Sequence, residues 1–159
     1  MPATLVEITR LAELQVKALR GAVAAAYEEF LRDLAARGCE ALDYRLTGNV
    51  VERICSRHLR DRYRALVCFP AEGRAVILLV GEHDGRDPSR NMYALLYRML
   101  DLLTPEGERT KPACCADDGD PPVDAELLVQ FEAKIKELRR LRDASLARSA
   151  EKRPRRRPS

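Results

Sequence analysis

Residues 63–81, with the sequence YRALVCFPAEGRAVILLVG, decide the fold. The segment contains two apolar runs rich in β-branched residues, YRALVCF at 63–69 and RAVILLVG at 74–81, on either side of the turn-forming residues PAEG. Runs of this composition joined by so short a turn predict an antiparallel hairpin. Because the AVILLV run has no polar interruption, we expect it to form the most central strand.

A third strand is predicted immediately before this hairpin, over residues 50–57, VVERICSR. Its connection to the hairpin is short enough for another antiparallel pair. If side chains alternate along this strand, one of its faces carries Val51, Arg53, Cys55 and Arg57. The three segments together predict a small antiparallel sheet.

The N-terminal part of the chain predicts one strand and two helices. TLVEIT, residues 4–9, alternates apolar and polar residues, which is typical of a short strand with one buried face. Residues 11–37 carry apolar residues at helical spacing, but a glycine inside a helix costs about 1 kcal/mol relative to alanine. We therefore expect two helices that meet near Arg20 and Gly21 as a hairpin, with Gly38 as the C-cap of the second.

A further helix is predicted after the hairpin of strands. Asp87 is a suitable N-cap and Pro88 a suitable first residue for an apolar helix that extends to Leu103. Residues 104–123 contain turn-forming and charged residues without periodicity, so we interpret them as a linker.

The C-terminal end predicts one more helix. Asp124 is positioned to cap an amphipathic helix over residues 124–149, with acidic residues early and arginines late, as the helix dipole favours. A basic, disordered tail is predicted for residues 150–159.

The element order excludes a doubly wound α/β fold, because the strands follow one another without intervening helices. It predicts an α+β fold in which an N-terminal strand and a helical hairpin pack on the small antiparallel sheet, with a C-terminal helical extension. A chain of 159 residues that is 46% hydrophobic can bury one ordinary core. We expect a single domain over residues 1–103, followed by the linker, the helix and the tail.

Composition also bears on location and redox state. No apolar run approaches the roughly 18 residues needed to cross a bilayer. The N-terminus, MPATLVEITR, has neither a basic region nor a cleavable apolar stretch, so we expect a cytoplasmic protein without a membrane partner. The five cysteines form an odd set without a CxxC pair, which favours reduced, packed thiols over disulfides or a zinc site.

Positive charge is concentrated in two places, although the formal net charge is only +3. The first is residues 53–64, which contain a single acidic residue, Asp61, and five arginines, Arg53, Arg57, Arg60, Arg62 and Arg64. The second is the C-terminal sequence EKRPRRRPS. Such clusters either contact a polyanion or form a solvated surface.

Several catalytic motifs are absent from the sequence, and their absence narrows the reactions that the protein could catalyse. It contains no GxxxxGK[ST] or GxGxxG loop, no HExxH and no GxSxG, so nucleotide hydrolysis, metalloprotease and esterase activities have no support. The remaining candidates for catalysis are the two histidines, together with Arg64. His58 precedes the first strand of the hairpin, which begins near Arg64, and His83 follows the second strand. Antiparallel pairing would bring all three to the same end of the sheet.

Two histidines and an arginine at a sheet edge can cleave RNA without a metal. One histidine removes the proton from the ribose 2′-hydroxyl, and the other protonates the leaving 5′-oxygen. The guanidinium stabilises charge on the phosphoryl oxygens. Each histidine could equally be a polar loop residue with no chemical role.

Three segments, in order, resemble the core of the RelE/ParE toxin superfamily of bacterial type II toxin–antitoxin systems. They are ERICSRHLRDRYRALVCF, AVILLVGEHD and RNMYALLYRML. The resemblance covers about residues 5–103. The matching positions are Tyr63 and Arg64, the run from Val76 to Gly81, His83, and Tyr93.

The resemblance implies a microbial-RNase-like fold and a metal-independent endoribonuclease that cleaves mRNA, on the ribosome in many members, and inhibits translation. No cofactor is implied, and the implied partners are a cognate antitoxin protein, mRNA and the ribosome. The implied catalytic residues are Arg64 for the transition state, His83 for proton donation or phosphate binding, Tyr93 near the reacting phosphate, and His58. The implied RNA-binding residues are Arg53, Arg57, Arg60 and Arg62.

Two other functions remain open for the same fold. A ParE-like toxin would inhibit DNA gyrase by contact, without cleaving RNA, and an inert protein would bind RNA or a partner through its arginines.

The chain also departs from the family pattern, because Arg53 and Cys55 stand where ribosome-dependent members often carry lysines. The helix after Leu103 is another departure; it could pack on the domain, dimerise, or occupy the groove for an antitoxin helix.

Overall fold

A five-stranded mixed sheet forms the middle layer of the structure, a computed structural model that describes residues 3–48, 50–105 and 110–152. Its strands are β1 (Leu5–Ile8), β2 (Tyr44–Arg45), β3 (Cys55–His58), β4 (Tyr63–Ala71) and β5 (Arg74–Glu82). The strand order is β1-β5-β4-β3-β2. The neighbours from β2 to β5 are antiparallel, as expected, but β1 runs parallel to β5, so the sheet is mixed rather than purely antiparallel.

Helices cover both faces of this sheet. They are α1 (Arg10–Lys17), α2 (Gly21–Arg37), α3 (Met92–Met99) and α4 (Ala125–Glu151). Short 3₁₀ turns at Gly38–Ala41 and Pro88–Arg90 follow α2 and precede α3. The predicted α+β class with a C-terminal helix is confirmed.

The β4–β5 hairpin is the longest pairing in the sheet. Its register runs from Tyr63 opposite Glu82 to Ala71 opposite Arg74, with shifts between Leu66 and Val67 and between Cys68 and Ala71. The predicted hairpin is confirmed, but the central strand is β4 rather than β5, because β3 and β2 extend the sheet beyond β4.

Two hydrophobic cores lie on opposite faces of the sheet. The α2-side core lies between the sheet and α1 and α2, and it includes Tyr27, Phe30, Leu34, Ala65, Val67 and Ile77. The α3-side core lies between the sheet and α3 and α4, and it includes Leu66, Cys68, Leu79, Leu96, Tyr97 and Phe131. Because both faces are covered, β4 and β5 are continuous apolar runs, as strands buried on two sides require.

The break between the two N-terminal helices is confirmed near Arg20 and Gly21. Gly21 begins α2 with φ +59°, a left-handed conformation that costs glycine little. Gly38 ends α2 with φ +57°, and a Cβ there would lie 3.0 Å from the Thr4 hydroxyl oxygen, Oγ1. At the start of α1, the Thr9 hydroxyl caps the helix by accepting from the amide of Ala12, at 3.1 Å.

The strand predicted over residues 50–57 is wrong in its first half. β3 begins only at Cys55, and Val51 to Ile54 form a turn in which the Ile54 amide donates to the Val51 carbonyl at 2.9 Å. Val51 and Ile54 are both fully buried in the α3-side core. Two apolar residues three positions apart therefore face the same way, which a strand would not allow.

The helix predicted from Asp87 to Leu103 is divided. The Asp87 carboxylate caps only the preceding 3₁₀ turn, by accepting from the amide of Ser89 at 3.0 Å. Asn91 caps α3, because its Oδ1 accepts from the amide of Tyr93 at 3.0 Å. The helix ends at Met99, and Leu103, predicted on its apolar face, is 93% exposed.

The predicted cap of the C-terminal helix is confirmed. Asp124 Oδ1 accepts from the amides of Glu126 and Leu127 at 3.1 and 3.2 Å. The first turns of α4 bury Leu128 and Phe131, together with Leu127, in the α3-side core. The helix therefore belongs to the folded unit along its N-terminal part.

The distal half of α4 does not pack on the sheet. Leu138 and Leu141, predicted on its apolar side, are 44% and 53% exposed. Lys152 is the last residue that the structure describes, so most of the predicted disordered tail at 150–159 lies outside the described residues.

Four of the five cysteines form disulfides, which the sequence did not predict. Cys39 is bonded to Cys115 and Cys55 to Cys114, over sequence separations of 76 and 59 residues. Cys68 is free and buried. The expectation of reduced thiols is therefore wrong for these two pairs, and the segment predicted as a linker is covalently tied to α2's end and to β3.

None of the helices in the described part of the chain is both long enough and apolar enough to cross a membrane.

The disulfides predict a defined thiol count. Unfolded without reductant, the protein should take up one iodoacetamide group, on Cys68, and five after reduction. The native protein should take up none, because Cys68 is fully buried and burial raises the pKa of its thiol to about 12. Mass spectrometry measures each count, and five adducts without reductant would contradict the pairing.

Reduction should also destabilise the fold. The disulfides join residues far apart in sequence, so losing each should lower the free energy of unfolding by about 2–5 kcal/mol. Urea unfolding with and without a phosphine reductant measures this change. Equal midpoints under the two conditions would show that the bonds do not constrain the chain.

Candidate functional site

The end of the β3–β4–β5 meander brings three of the predicted catalytic residues together. His58 lies opposite Arg64 in the β3–β4 register, and Arg64 lies opposite Gly81 in the β4–β5 register. His83 follows Gly81 by two positions, so strand alternation directs it to the same face. The expected convergence is confirmed, and we call His58, Arg64 and His83 the histidine–arginine patch.

Tyr93, from the first turn of α3, packs beside this patch. Its ring meets the His83 imidazole edge to face, with 4.8 Å between centroids and 81° between planes. Helix α3 comes close to the sheet here, because a Cβ on Gly81 would lie 3.4 Å from the Cβ of Met92. Aromatic pairs of this geometry hold each other in orientation.

The Tyr93 hydroxyl joins a buried polar network. It lies 2.9 Å from Ser56 Oγ and 3.1 Å from Tyr44 Oη, and Tyr93 is 7% exposed. Burial is the main cause that raises the pKa of Tyr93, and the hydrogen bond to Tyr44 adds to it. Tyr93 therefore stays a neutral phenol at neutral pH and cannot serve as a proton acceptor there.

His58 is exposed, and the loop before β4 determines its tautomer. His58 Nε2 lies 2.8 Å from the carbonyl oxygen of Asp61. A carbonyl can only accept, so Nε2 carries the proton and, in the neutral ring, Nδ1 is the acceptor. The backbone amide of His58 donates to Asp43 Oδ2 at 2.7 Å, which fixes the end of β3.

Arg64 is half-buried, and its guanidinium is held by carbonyl groups. Its Nη1 donates to the carbonyl oxygens of Asp61 and Tyr63 at 3.3 and 3.2 Å. The ion pairs described nearby join Arg62 to Asp84 and Arg90 to Glu82, and neither includes Arg64. Its positive charge also reaches the Tyr93 hydroxyl, whose pKa it lowers slightly against the effect of burial.

The predicted RNA-binding arginines divide between two locations. Arg60 is exposed and Arg62 pairs with Asp84 at 3.1 Å, both in the loop that joins β3 to β4, beside the patch. Arg53 lies in the turn before β3, where its Nη1 donates to the carbonyl of Val123 at 2.7 Å. The structure therefore brings Arg60 and Arg62 to the site, but not Arg53.

Arg57 lies on the opposite face of the sheet from Arg64. Its guanidinium donates to Asp33 Oδ2 at 3.2 Å and to the carbonyl of Ala41, and it lies over the Phe30 ring. Arg37 is the main cause that lowers the pKa of Asp33, and Arg57 adds to it. Arg57 thus ties β3 to α2, whereas Arg53, expected on the same strand, lies in the turn before β3.

Sequence reasoning missed two polar residues of the site. Ser56 precedes His58 by two positions, so alternation along β3 could have placed it on the same face. Tyr44 lies in β2, a strand of two residues inside a segment that resembled a loop, and no periodicity marks it. In the described part of the chain, no group of three or more histidine, cysteine or acidic side chains could hold a metal ion.

Neither protein-family models nor curated proteins match this chain. We therefore infer the chemistry of the site from the geometry of the histidine–arginine patch and its neighbours.

The buried network predicts a stability effect for Tyr93→Phe. The substitution keeps the ring but leaves Ser56 Oγ and Tyr44 Oη without this partner, which should cost about 1–3 kcal/mol of unfolding free energy. Tyr27→Phe is the matched control, because Tyr27 is buried outside this network. Urea unfolding measures both, and an equal loss in the two variants would contradict the network's role.

Alkaline pH should weaken the fold through the same tyrosines. Burial raises the pKa of Tyr27 to about 12 and raises that of Tyr93 as well, whereas an unfolded tyrosine titrates near 10.0. The stability from these neutral phenols is fully present below pH 10 and is lost as the pH rises through the folded values. Urea midpoints from pH 8 to 12 should fall less steeply in the double Tyr27→Phe, Tyr93→Phe variant.

Proposed function

We propose that this protein is a metal-independent endoribonuclease that cleaves mRNA and inhibits translation, as a RelE/ParE-like toxin of a type II toxin–antitoxin system. The observation that carries the proposal is the histidine–arginine patch. Two imidazoles and a guanidinium lie on one face at one end of the sheet, where β3, β4 and β5 meet. This is the set of groups that RNA cleavage by the ribose 2′-hydroxyl requires.

The hydrogen bond of His58 suits this residue to accept a proton, and His83 then takes the donating role. His58 Nδ1, the acceptor nitrogen in the neutral ring, takes the proton of the 2′-hydroxyl. The 2′-oxygen then attacks phosphorus, and the bond to the 5′-oxygen breaks. His83 in its protonated form donates a proton to that leaving oxygen, which yields a 2′,3′-cyclic phosphate and a free 5′-hydroxyl.

Arg64 stabilises the phosphoryl oxygens as charge develops on them. Carbonyl groups orient its guanidinium, and within the described part of the chain it forms no ion pair with a carboxylate, so its charge is available to a phosphate. Arg60, exposed in the adjoining loop, is available for a flanking phosphate.

Tyr93 is a positioning residue in this proposal. Its hydroxyl is buried against Ser56 and Tyr44, so it is not offered to a phosphate, in contrast to the role that the family resemblance implied. Its ring instead packs on the His83 imidazole and restricts that ring's orientation.

The finer fold assignment is part of the proposal. The order of strand, helical hairpin and antiparallel meander, with a tyrosine at the start of the next helix, supports a RelE-like microbial-RNase type of fold. The long helix α4 and the two disulfides stand outside that pattern.

The proposed partners are a cognate antitoxin protein, mRNA and the ribosome, and the proposed location is the cytoplasm. Disulfides are rare in a reducing cytosol. The state of the four bonded cysteines in cells therefore tests this location, by trapping free thiols at the moment of lysis. Full alkylation in the cell would fit the cytoplasm, and protected cysteines would favour an oxidising compartment.

Cleavage should depend on the patch and not on added metal. In buffer with EDTA, the wild-type protein should cut single-stranded or ribosome-bound mRNA. His83→Ala should lower the rate about 10²- to 10⁴-fold and Arg64→Ala about 10²- to 10³-fold. Arg32→Ala is the matched control, because it removes an exposed arginine from α2, on the other face of the sheet. Gel analysis of labelled RNA measures the rates.

Three outcomes would contradict the assignment. Full activity in folded His83→Ala and Arg64→Ala proteins would show that the patch is not the active site. Intact RNA with a loss of plasmid supercoiling would favour a gyrase inhibitor. Salt-sensitive RNA binding without cleavage would favour an inert binding protein.

Tyr93 should act on cleavage through His83. Tyr93→Phe keeps the ring and should keep the pH profile of cleavage, whereas Tyr93→Leu removes the ring and should shift the limb that reports His83. Identical pH profiles in folded Leu and Phe variants would contradict a positioning role.

A further inference from the structure

An open cleft of about 420 Å³ lies between α1, the end of α3 and α4. This volume falls within the range of about 300–1,000 Å³ typical of sites for small organic ligands. We call it the α1–α4 cleft, and its apolar lining residues are Leu11, Leu14, Met99, Ile135 and Leu138. It shares no described lining residue with the histidine–arginine patch.

The floor of the α1–α4 cleft is continuous with the α3-side core. Met99 belongs to that core, and Leu11 and Ile135 pack against it while partly buried. The two leucines at the mouth, Leu14 and Leu138, are 52% and 44% exposed. The core therefore reaches the surface here, between α1 and the distal half of α4.

The charged side chains that line the cleft, among the described residues, are all arginines. They are Arg10, Arg139 and Arg142, and all three are exposed. In the same part of the chain, Arg10 and Arg139 form no ion pair, and Arg142 forms one with Asp143, at 3.7 Å. Three guanidinium groups around one opening present donors to an anion.

The other acidic residues within two positions of the lining pair with lysines rather than with these arginines. Glu13 pairs with Lys17 at 3.9 Å. Lys134 pairs with both Asp101 and Glu137, at 3.1 and 3.6 Å. An anionic ligand therefore meets a net positive opening.

An apolar cleft with a cationic rim is complementary to an anionic amphiphile. A single acyl chain can enter the cleft and cover Leu14 and Leu138, and each methylene that leaves water then contributes to binding. The carboxylate stays at the rim, beside the arginines. An acidic helix of a partner protein would be about 10–12 Å wide with its side chains, too wide to enter a space of this volume rather than lie on the rim.

We propose that the α1–α4 cleft binds a free fatty acid, with the acyl chain between α1 and α4 and the carboxylate held by Arg139 together with Arg10 and Arg142. The inference goes beyond the proposed ribonuclease function and does not depend on it. A bound chain contacts both helices, so it also ties the distal half of α4 to α1.

A chain-length series measured by isothermal titration calorimetry tests the cleft. The full-length protein should bind one molecule of octanoate, decanoate or dodecanoate, each below its micelle concentration. The affinity should rise about three- to fourfold for each added methylene until the cleft is full. Decanol has the same chain as decanoate but no charge, so it should bind about three- to tenfold more weakly.

Two matched pairs of variants on α4 separate the cleft from the rest of the helix. Leu138→Glu places a carboxylate at the mouth and should weaken decanoate binding about tenfold. Leu146→Glu is its control, because Leu146 is 62% exposed and does not line the cleft. Arg139→Gln should weaken binding of decanoate about threefold but not that of decanol, whereas Arg140→Gln should change neither. All four positions are exposed, so each variant should fold.

Several results would overturn the inference. They are the absence of decanoate binding, equal losses in Leu138→Glu and Leu146→Glu, and binding of cationic dodecyltrimethylammonium as tight as that of dodecanoate. An acidic amphipathic peptide that binds in place of decanoate, or a dimer that Leu138→Glu dissociates, would assign the cleft to a partner helix or to a second copy instead. RNA cleavage is measured separately, so failure here leaves the proposed ribonuclease function in place.

Discussion

The paired strands β4 and β5 carry apolar side chains on both faces of the sheet. Side chains of this hairpin alternate between two cores, so Ala65 and Val67 face the helical hairpin while Leu66 and Cys68 face α3 and α4. Neither face can be left open to water without exposing a continuous apolar surface. Helices on both sides are therefore required, and the long C-terminal helix supplies part of one cover.

The candidate site occupies the end of this pairing, where burial gives way to polar side chains. The strands hold Arg64 rigidly in register with His58 on one side and Gly81 on the other. Helix α3 packs over Gly81 at the same end of the sheet, and Tyr93 in its first turn packs against His83. Scaffold and site are thus built from the same strands.

The disulfides extend this arrangement to a segment that has no regular structure. Cys114 and Cys115 are adjacent in sequence, yet they bond to β3 and to the turn after α2, respectively. The residues around Pro112 and Cys114 are thereby held along the edge of the sheet at β2. At this edge, the Lys111 ammonium lies over the Tyr44 ring.

Sequence alone determined the strands of the hairpin, the two N-terminal helices, and the convergence of His58, Arg64 and His83. These follow from short-range periodicity and from the fact that antiparallel neighbours share their ends. Only the tertiary structure decided that Arg57 belongs to the opposite face, and that two cysteine pairs meet. Alternation orders side chains along one strand, but it does not say which helix covers each face. The cysteines of each disulfide are 76 or 59 positions apart in the sequence, so no local pattern reveals that they pair.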